Sequence, residues 1–186
     1  MSGPRYVLVP SPFGQLAICW QETAAGPRVQ HVLLPRAGTQ TADLAQASGG
    51  GGPGSVPAIS ELGERMAAFL SGEDVHLRLD LLALERCSAF QQRVLRAEYA
   101  IPRGRVSTYG RIARYLSLPG GARAVGMALA RNPFPIVIPC HRAIAADGRI
   151  GGYQGGLAMK QALLEMEGVR FSPQGRVLVG HYYYGT

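Results

Sequence analysis

The sequence is poor in cysteine: Cys19, Cys87 and Cys140 stand far apart in 186 residues. An odd, scattered set excludes a disulfide framework and points to free thiols in a reducing compartment. Cys19, His31 and His76 are too dispersed to read as a metal-ligand set. Long apolar runs are missing too, since none approaches the ~20 residues that span a bilayer. The opening Met1-Ser2-Gly3-Pro4-Arg5 passes into a strand-like stretch without the apolar core of a signal peptide. These absences predict a cytoplasmic protein with no membrane partner. Lysine is almost absent, with Arg supplying 18 of 19 cations. Arg suits phosphate and base contacts, but a GC-rich genome enriches it as well.

Charge is unevenly spread. Residues 1–85 carry five Arg against eight acids, net −3, whereas residues 86–186 carry 13 Arg and Lys160 against four acids, net +10. A basic half of this kind is an electrostatic footprint for a polyanion. The division predicts two domains, 1–85 and 86–186. In the first, Tyr6-Val7-Leu8-Val9, Leu16 to Trp20 and Val29 to Leu34 read as strands, and Ser60 to Leu70 reads as a helix. Gly49 to Gly54 reads as a flexible loop or linker. In the second, Ser88 is placed to cap a helix from about Ala89 to Ala100, which Pro102 ends. Helices over Tyr109–Leu116 and Ala122–Ala130, broken by Ser117-Leu118-Pro119-Gly120-Gly121, read as a helix-turn-helix. Asp147-Gly148 is a hairpin-turn signal. A last helix runs from Leu157 to Glu167 and stops at Gly168. The run His181-Tyr182-Tyr183-Tyr184 fits no assignment.

The chemistry gathers at Ile138-Pro139-Cys140-His141-Arg142. The apolar run Ile136-Val137-Ile138 reads as a strand that Pro139 ends, which places Cys140 at a rigid corner. A nucleophile held still is what attack at one carbon requires. The thiolate is the reactive form, and a nearby His and Arg can lower a thiol pKa. Adjacent strand residues face opposite sides, so His141 reaches the sulfur only if the chain bends or a water intervenes. Glu167, in the last turn of its helix, opposes the helix dipole and calls for a favourable partner.

Asn132-Pro133-Phe134-Pro135-Ile136-Val137-Ile138-Pro139-Cys140-His141-Arg142 resembles the active-site signature of the O6-alkylguanine-DNA alkyltransferases, or methylated-DNA–protein-cysteine methyltransferases. Arg123-Ala124-Val125-Gly126 and Gly151-Gly152-Tyr153-Gln154-Gly155-Gly156-Leu157-Ala158 extend the likeness over residues 88–169. The first 85 residues match only loosely. The resemblance implies a small α/β N-terminal domain followed by an α-rich domain with a winged-helix-like helix-turn-helix. It implies a relay of Glu167, His141, a water and Cys140, with Tyr109 as proton donor to the base. Asn132 would brace the nucleophile segment, and Gly151, Tyr153 and Gln154 would line a guanine pocket with Tyr109 and Asn132. Some relatives have Ser where this chain has Gln154. Arg123 would fill the gap left by an extruded base, on a helix set in the minor groove and made narrow by Ala122, Ala124 and Gly126. Arg142 either contacts phosphate or pairs internally. Some relatives hold a structural zinc, for which His31 would be a ligand, but the cysteine pair is missing. Neither metal nor cofactor is expected.

The implied function is direct reversal of O6-alkylguanine damage in duplex DNA. The alkyl group moves irreversibly to Cys140, because a thioether offers water no carbonyl to attack. The expected protein is a monomer, nucleoid-associated in a bacterium. Two rivals remain: a protein that binds alkylated DNA without transfer, which Cys140 argues against, and a cysteine hydrolase, which would turn over.

Overall fold

In the computed structural model, which describes residues 3–185, the early apolar stretches form an antiparallel meander of β1 (Arg5–Val9), β2 (Leu16–Thr23) and β3 (Gly26–Leu33). β2 is central, and its residues Leu16 to Trp20 are buried without alternation. A strand covered on both faces reads as a continuous apolar run. α1 (Thr41–Ala47) and α2 (Pro57–Leu70) complete the layer. Pro57 opens α2, where a missing N–H costs nothing, and Ile59, Leu62, Met66 and Phe69 recur at helical spacing on its buried face.

The glycine-rich segment is not a free linker. Gly52–Pro53 forms β4, which pairs parallel with β1 and gives the sheet order β3-β2-β1-β4. The glycines are there for close approach. A Cβ at Gly50 would stand 2.7 Å from the Ala45 carbonyl oxygen, and one at Gly51 2.7 Å from that of Pro4. Met1–Arg86 and Pro133–Val137 together make one compact unit. The Val32 N–H donates to the Pro133 carbonyl at 2.8 Å.

The second unit comprises Cys87–Asn132 and Ile138–Thr186. Ser88 Oγ accepts the Gln91 N–H and starts α3 (Ala89–Tyr99), as an N-cap serine should. Thr108 does the same for Arg111 and starts α4 (Tyr109–Tyr115), directly after β5 (Ser107–Thr108). The break before α5 (Ala122–Ala130) needs left-handed backbone at Ser117 and Gly120. β6 (Ala143–Ile144) pairs parallel with β5. α6 (Gly156–Met166) ends at Gly168, whose φ of 85° suits glycine. β7 (Arg170–Phe171) and β8 (Val177–Leu178) form a short hairpin, and Val106, Ile144, Leu164, Val169 and Val177 pack as its core. The turn at Asp147-Gly148 closes with Ala145 N–H on the Arg149 carbonyl.

One expectation changes here, and one unassigned segment finds its place. Ile136-Val137-Ile138 is not a strand. Ile136 takes φ 74°, and prolines at 133, 135 and 139 remove the donors that a ladder needs. The tyrosine run packs on the unit. Tyr183 N–H donates to the Val106 carbonyl, Tyr184 Oη to that of Ala97, and the Tyr184 ring stacks on Tyr115 at 4.0 Å.

Candidate active site

Cys140 is fixed by a tight turn. Pro139 has φ −78° and ψ 59°, and the Cys140 N–H donates back to the Ile138 carbonyl at 2.8 Å. That is an inverse γ-turn. Cys140–Arg142 then form one turn of 3₁₀ helix. Asn132 Nδ2 donates to the same Ile138 carbonyl at 3.0 Å, bracing the turn, and its side chain also bonds the thiol. Gln154 Nε2 donates to the carbonyls of Asn132 and Ala130, at 2.8 and 3.1 Å. Its amide thus ties the glycine-rich loop to the end of α5.

Behind the turn lies a buried polar cluster. His141 Nε2 is 2.8 Å from Glu167 Oε1. Arg142 donates Nε to Glu167 Oε2 at 2.9 Å and Nη2 to Oε1 at 2.8 Å, while Nη1 goes to the Ile101 carbonyl. The Gly104 N–H adds a bond to Oε2 at 3.2 Å. Burial alone would raise the Glu167 carboxyl, but hydrogen bonds and charge from His141 and Arg142 overcome it and hold it at about 2. Of the two roles open to Arg142, phosphate contact and internal pairing, this geometry selects the second and removes it from the candidate DNA contacts: it is 8% exposed and its guanidinium is committed to Glu167 and Ile101.

The expected lowering of the thiol pKa is also absent from this arrangement. Burial pushes the Cys140 thiol up to about 11, against a smaller opposing effect of the Asn132 bond. Burial likewise lowers His141, so the imidazole is neutral near pH 7 and supplies a base rather than a cation. The charge of Arg142 is neutralised by Glu167.

Cys140 opens onto a cavity of about 280 Å³ walled by Tyr109, Gly126, Leu129, Ala130, Gly152, Tyr153 and Gln154. Of the residues expected to line a pocket, Tyr109, Tyr153 and Gln154 do so. Asn132 instead stands behind the turn, 1% exposed. Gly151 stands behind Tyr109: a Cβ there would meet the Tyr109 hydroxyl at 2.9 Å. A Cβ at Gly126 would touch the same ring at 3.8 Å. The phenol therefore sits where two glycines leave room for it. Burial pushes it up to about 12, so it keeps a proton to donate.

On α5, Val125, Ala128 and Leu129 are buried, while Arg123, Ala124 and Met127 are exposed. Ala122 and Gly126 are half-buried. The surviving outer face is small apart from Arg123 and Met127. Sequence reasoning missed Glu98 and Lys160, each 0% exposed. The signal was present, since Glu98 follows Val94 and Lys160 precedes Leu164 by one helical turn.

The residues of this site lie in a stretch that the chain shares with known proteins. The family profile described as "6-O-methylguanine DNA methyltransferase, DNA binding domain" matches residues 89–169. A protein of Mycolicibacterium paratuberculosis named methylated-DNA–protein-cysteine methyltransferase is 47% identical over 117 residues, 62% of this chain and 68% of that one. A Methanothermobacter thermautotrophicus protein of the same name is 46% identical, over 63% of this chain and 65% of its own length. The matched sequence thus spans about two thirds of such relatives. Solved structures match further. The Mycobacterium tuberculosis O6-methylguanine methyltransferase aligns at 35% identity and TM-score 0.67, over 88% of this chain and 92% of that one. Its form in complex with DNA aligns at 34% and 0.67, over 88% and 92%. With the cysteine turn, the buried Glu167 cluster and the helix pair all in the matched region, the chain belongs to the 6-O-methylguanine DNA methyltransferase family.

Proposed function

We propose that this protein repairs duplex DNA by moving the alkyl group of O6-alkylguanine onto Cys140. The observation that supports it most is a cysteine on a rigid turn, opening onto a cavity that a protonated tyrosine also lines, with a neutral His141 hydrogen-bonded to a carboxylate beside it. The cavity suits one extruded base, since a stacked base lies out of reach of a buried sulfur.

Glu167 orients His141, which takes the thiol proton through a water molecule. The thiolate attacks the alkyl carbon: the C–S bond forms and the C–O6 bond breaks, with its electron pair passing to the guanine. Tyr109 donates a proton to the base and is reprotonated from His141, so the thiol proton ends on guanine. The step balances with thiol, alkyl group and proton alone and calls for no cofactor. The thioether is stable to water, so each protein works once. Arg123, exposed near the start of α5, fills the stack after extrusion, and the small residues around it let that helix approach the minor groove. The protein acts as a cytoplasmic monomer.

The test uses excess duplex containing O6-methylguanine and intact-mass measurement. One methyl should be gained per protein, mapped to Cys140, with Cys19 and Cys87 unmodified. Repeated turnover would favour a hydrolase, and binding without any mass gain would favour a non-transferring reader of alkylated DNA.

A further inference from the structure

Glu98 has no part in the relay, yet it lies among the groups that make it. It shares the buried face of α3 with Val94 and Leu95, is 0% exposed, and its carboxyl has no side-chain hydrogen-bond partner among the described residues. The groups coupled to it by charge are Lys160 from α6, Arg142 and Cys140 from the nucleophile turn, Tyr109 from α4 and Tyr184 from the C-terminal segment, and the Ala143 N–H bonds to it. Arg142 is already paired with Glu167. Among the described residues no ion pair joins Lys160 to a carboxylate: its Nζ donates to the carbonyls of Ala143 at 2.8 Å and Gly152 at 3.4 Å. A sealed carboxyl with little to stabilise its anion keeps its proton well above the usual range, and burial pushes Glu98 to about 8 against smaller opposing effects of Lys160, Arg142 and the Ala143 N–H. Burial brings Lys160 down to about 8, so the two groups titrate together.

We propose that Glu98 is a positioning residue that sets the charge beneath the nucleophile: with its proton it leaves the forming Cys140 thiolate facing no anion, and without its proton it stands as an anion against that thiolate. Glu98 is not a catalytic residue, because it acts only through Cys140 and Lys160. The sign follows from the charges. An ionised Glu98 opposes the thiolate, and Lys160 loses its own charge over the same range, so the ionisation of Glu98 suppresses the gain in thiolate that rising pH would otherwise bring. This rests on the alkyl-transfer reading above for its relevance to repair, but not for its test.

Glu98→Gln fixes the uncharged form at nearly the same volume. Benzylation of Cys140 by the free base O6-benzylguanine is followed by intact mass from pH 6.5 to pH 9. The ratio of variant to wild-type rate should be near one at pH 6.5 and rise to about fivefold at pH 9. A purely structural role would shift the ratio equally at every pH. A flat ratio, or one below unity at pH 9, overturns the proposal. Glu98→Leu, which packs as hydrocarbon, should give the same rising ratio. If the wild type is inert to O6-benzylguanine and also gains no methyl from O6-methylguanine duplex, it is the alkyl-transfer reading that fails. The pH comparison then runs on iodoacetamide alkylation of Cys140 and decides the role of Glu98 on the same terms.

Discussion

Glu167 carries three jobs at one carboxylate: it orients His141, neutralises Arg142 and takes the Gly104 N–H. Its carboxyl is held at about 2, below an ordinary 4.5. A depressed acid contributes stability that is present above pH 4.5 and lost as pH falls through 2. At ~1.4 kcal/mol per unit the contribution is on the order of 3 kcal/mol. Glu167→Gln leaves a buried guanidinium without its anion, which costs about 3–5 kcal/mol. A lower Tm, transfer slowed at least tenfold and duplex affinity within a few-fold are the expected outcome, measured by calorimetry, single-turnover kinetics and gel shift. Cys140→Ser separates binding from chemistry in another way. It should hold alkylated duplex as the wild type does and gain no mass, because an alcohol is a poor nucleophile near neutral pH. Cys140, His141 and Glu167 were legible because the motif and the helix end singled them out. Arg142 was not, since an arginine beside a nucleophile reads the same from sequence whether it faces phosphate or a carboxylate 25 residues away. Glu98 and Lys160 were legible only as charges standing where apolar periodicity asks for hydrocarbon.

At the scale of elements, the site is a matter of how closely α4, α5 and the glycine-rich loop approach one another. The Tyr109 ring lies against Gly126 and Gly151. Gly151 also has φ 69°, so Gly151→Ala adds about 1–2 kcal/mol of backbone strain to a collision with the hydroxyl. Slower alkyl transfer with unchanged duplex affinity should result. A transfer rate equal to wild type would show that the Tyr109 position does not matter. Arg123→Ala on α5 should slow repair of duplex far more than reaction with free O6-benzylguanine. A phosphate contact alone would weaken duplex binding and reduce its salt slope by about one unit instead. Glu98 in α3 makes the opposite stability prediction to Glu167. Its carboxyl is raised from 4.5 to about 8, so the fold is favoured below pH 4.5 and that advantage is lost as pH rises toward 8. Glu98→Leu should therefore be more stable by about 3 kcal/mol at pH 7, with the gap shrinking toward pH 5. The helices were legible because their caps and spacings are local. The γ-turn at Pro139 was not, because three β-branched residues imitate a strand, and only the prolines at every second or fourth place argue against a ladder.

Over the whole molecule, charge and chain path follow different divisions. The +10 half contains the nucleophile, the helix-turn-helix and the cavity, whereas the −3 half contains the four-stranded sheet. No helix among the described residues is long and apolar enough to cross a membrane. Duplex affinity should thus fall steeply with salt, while reaction with a neutral free base should hardly change. The composition made that division readable at a glance. Nothing in it announced that Pro133–Val137 leaves the basic half to join the sheet unit.

That excursion bears on how the protein is made. A ribosome delivers residues in order, at roughly 5–20 per second. When residue 86 has emerged, the sheet unit still lacks five of its residues, and the Val32 N–H still lacks its Pro133 acceptor. The nascent sheet must wait for α3, α4 and α5 to be translated before it can close. Vectorial folding, with the first unit finished before the second begins, is therefore denied to this chain. The same late-arriving segment that completes the sheet is joined, two residues further on, to the turn that presents Cys140. Arrested chains ending near residue 90 should be cut rapidly by protease. Chains reaching beyond residue 137 should gain protection of the sheet and the nucleophile turn nearly together.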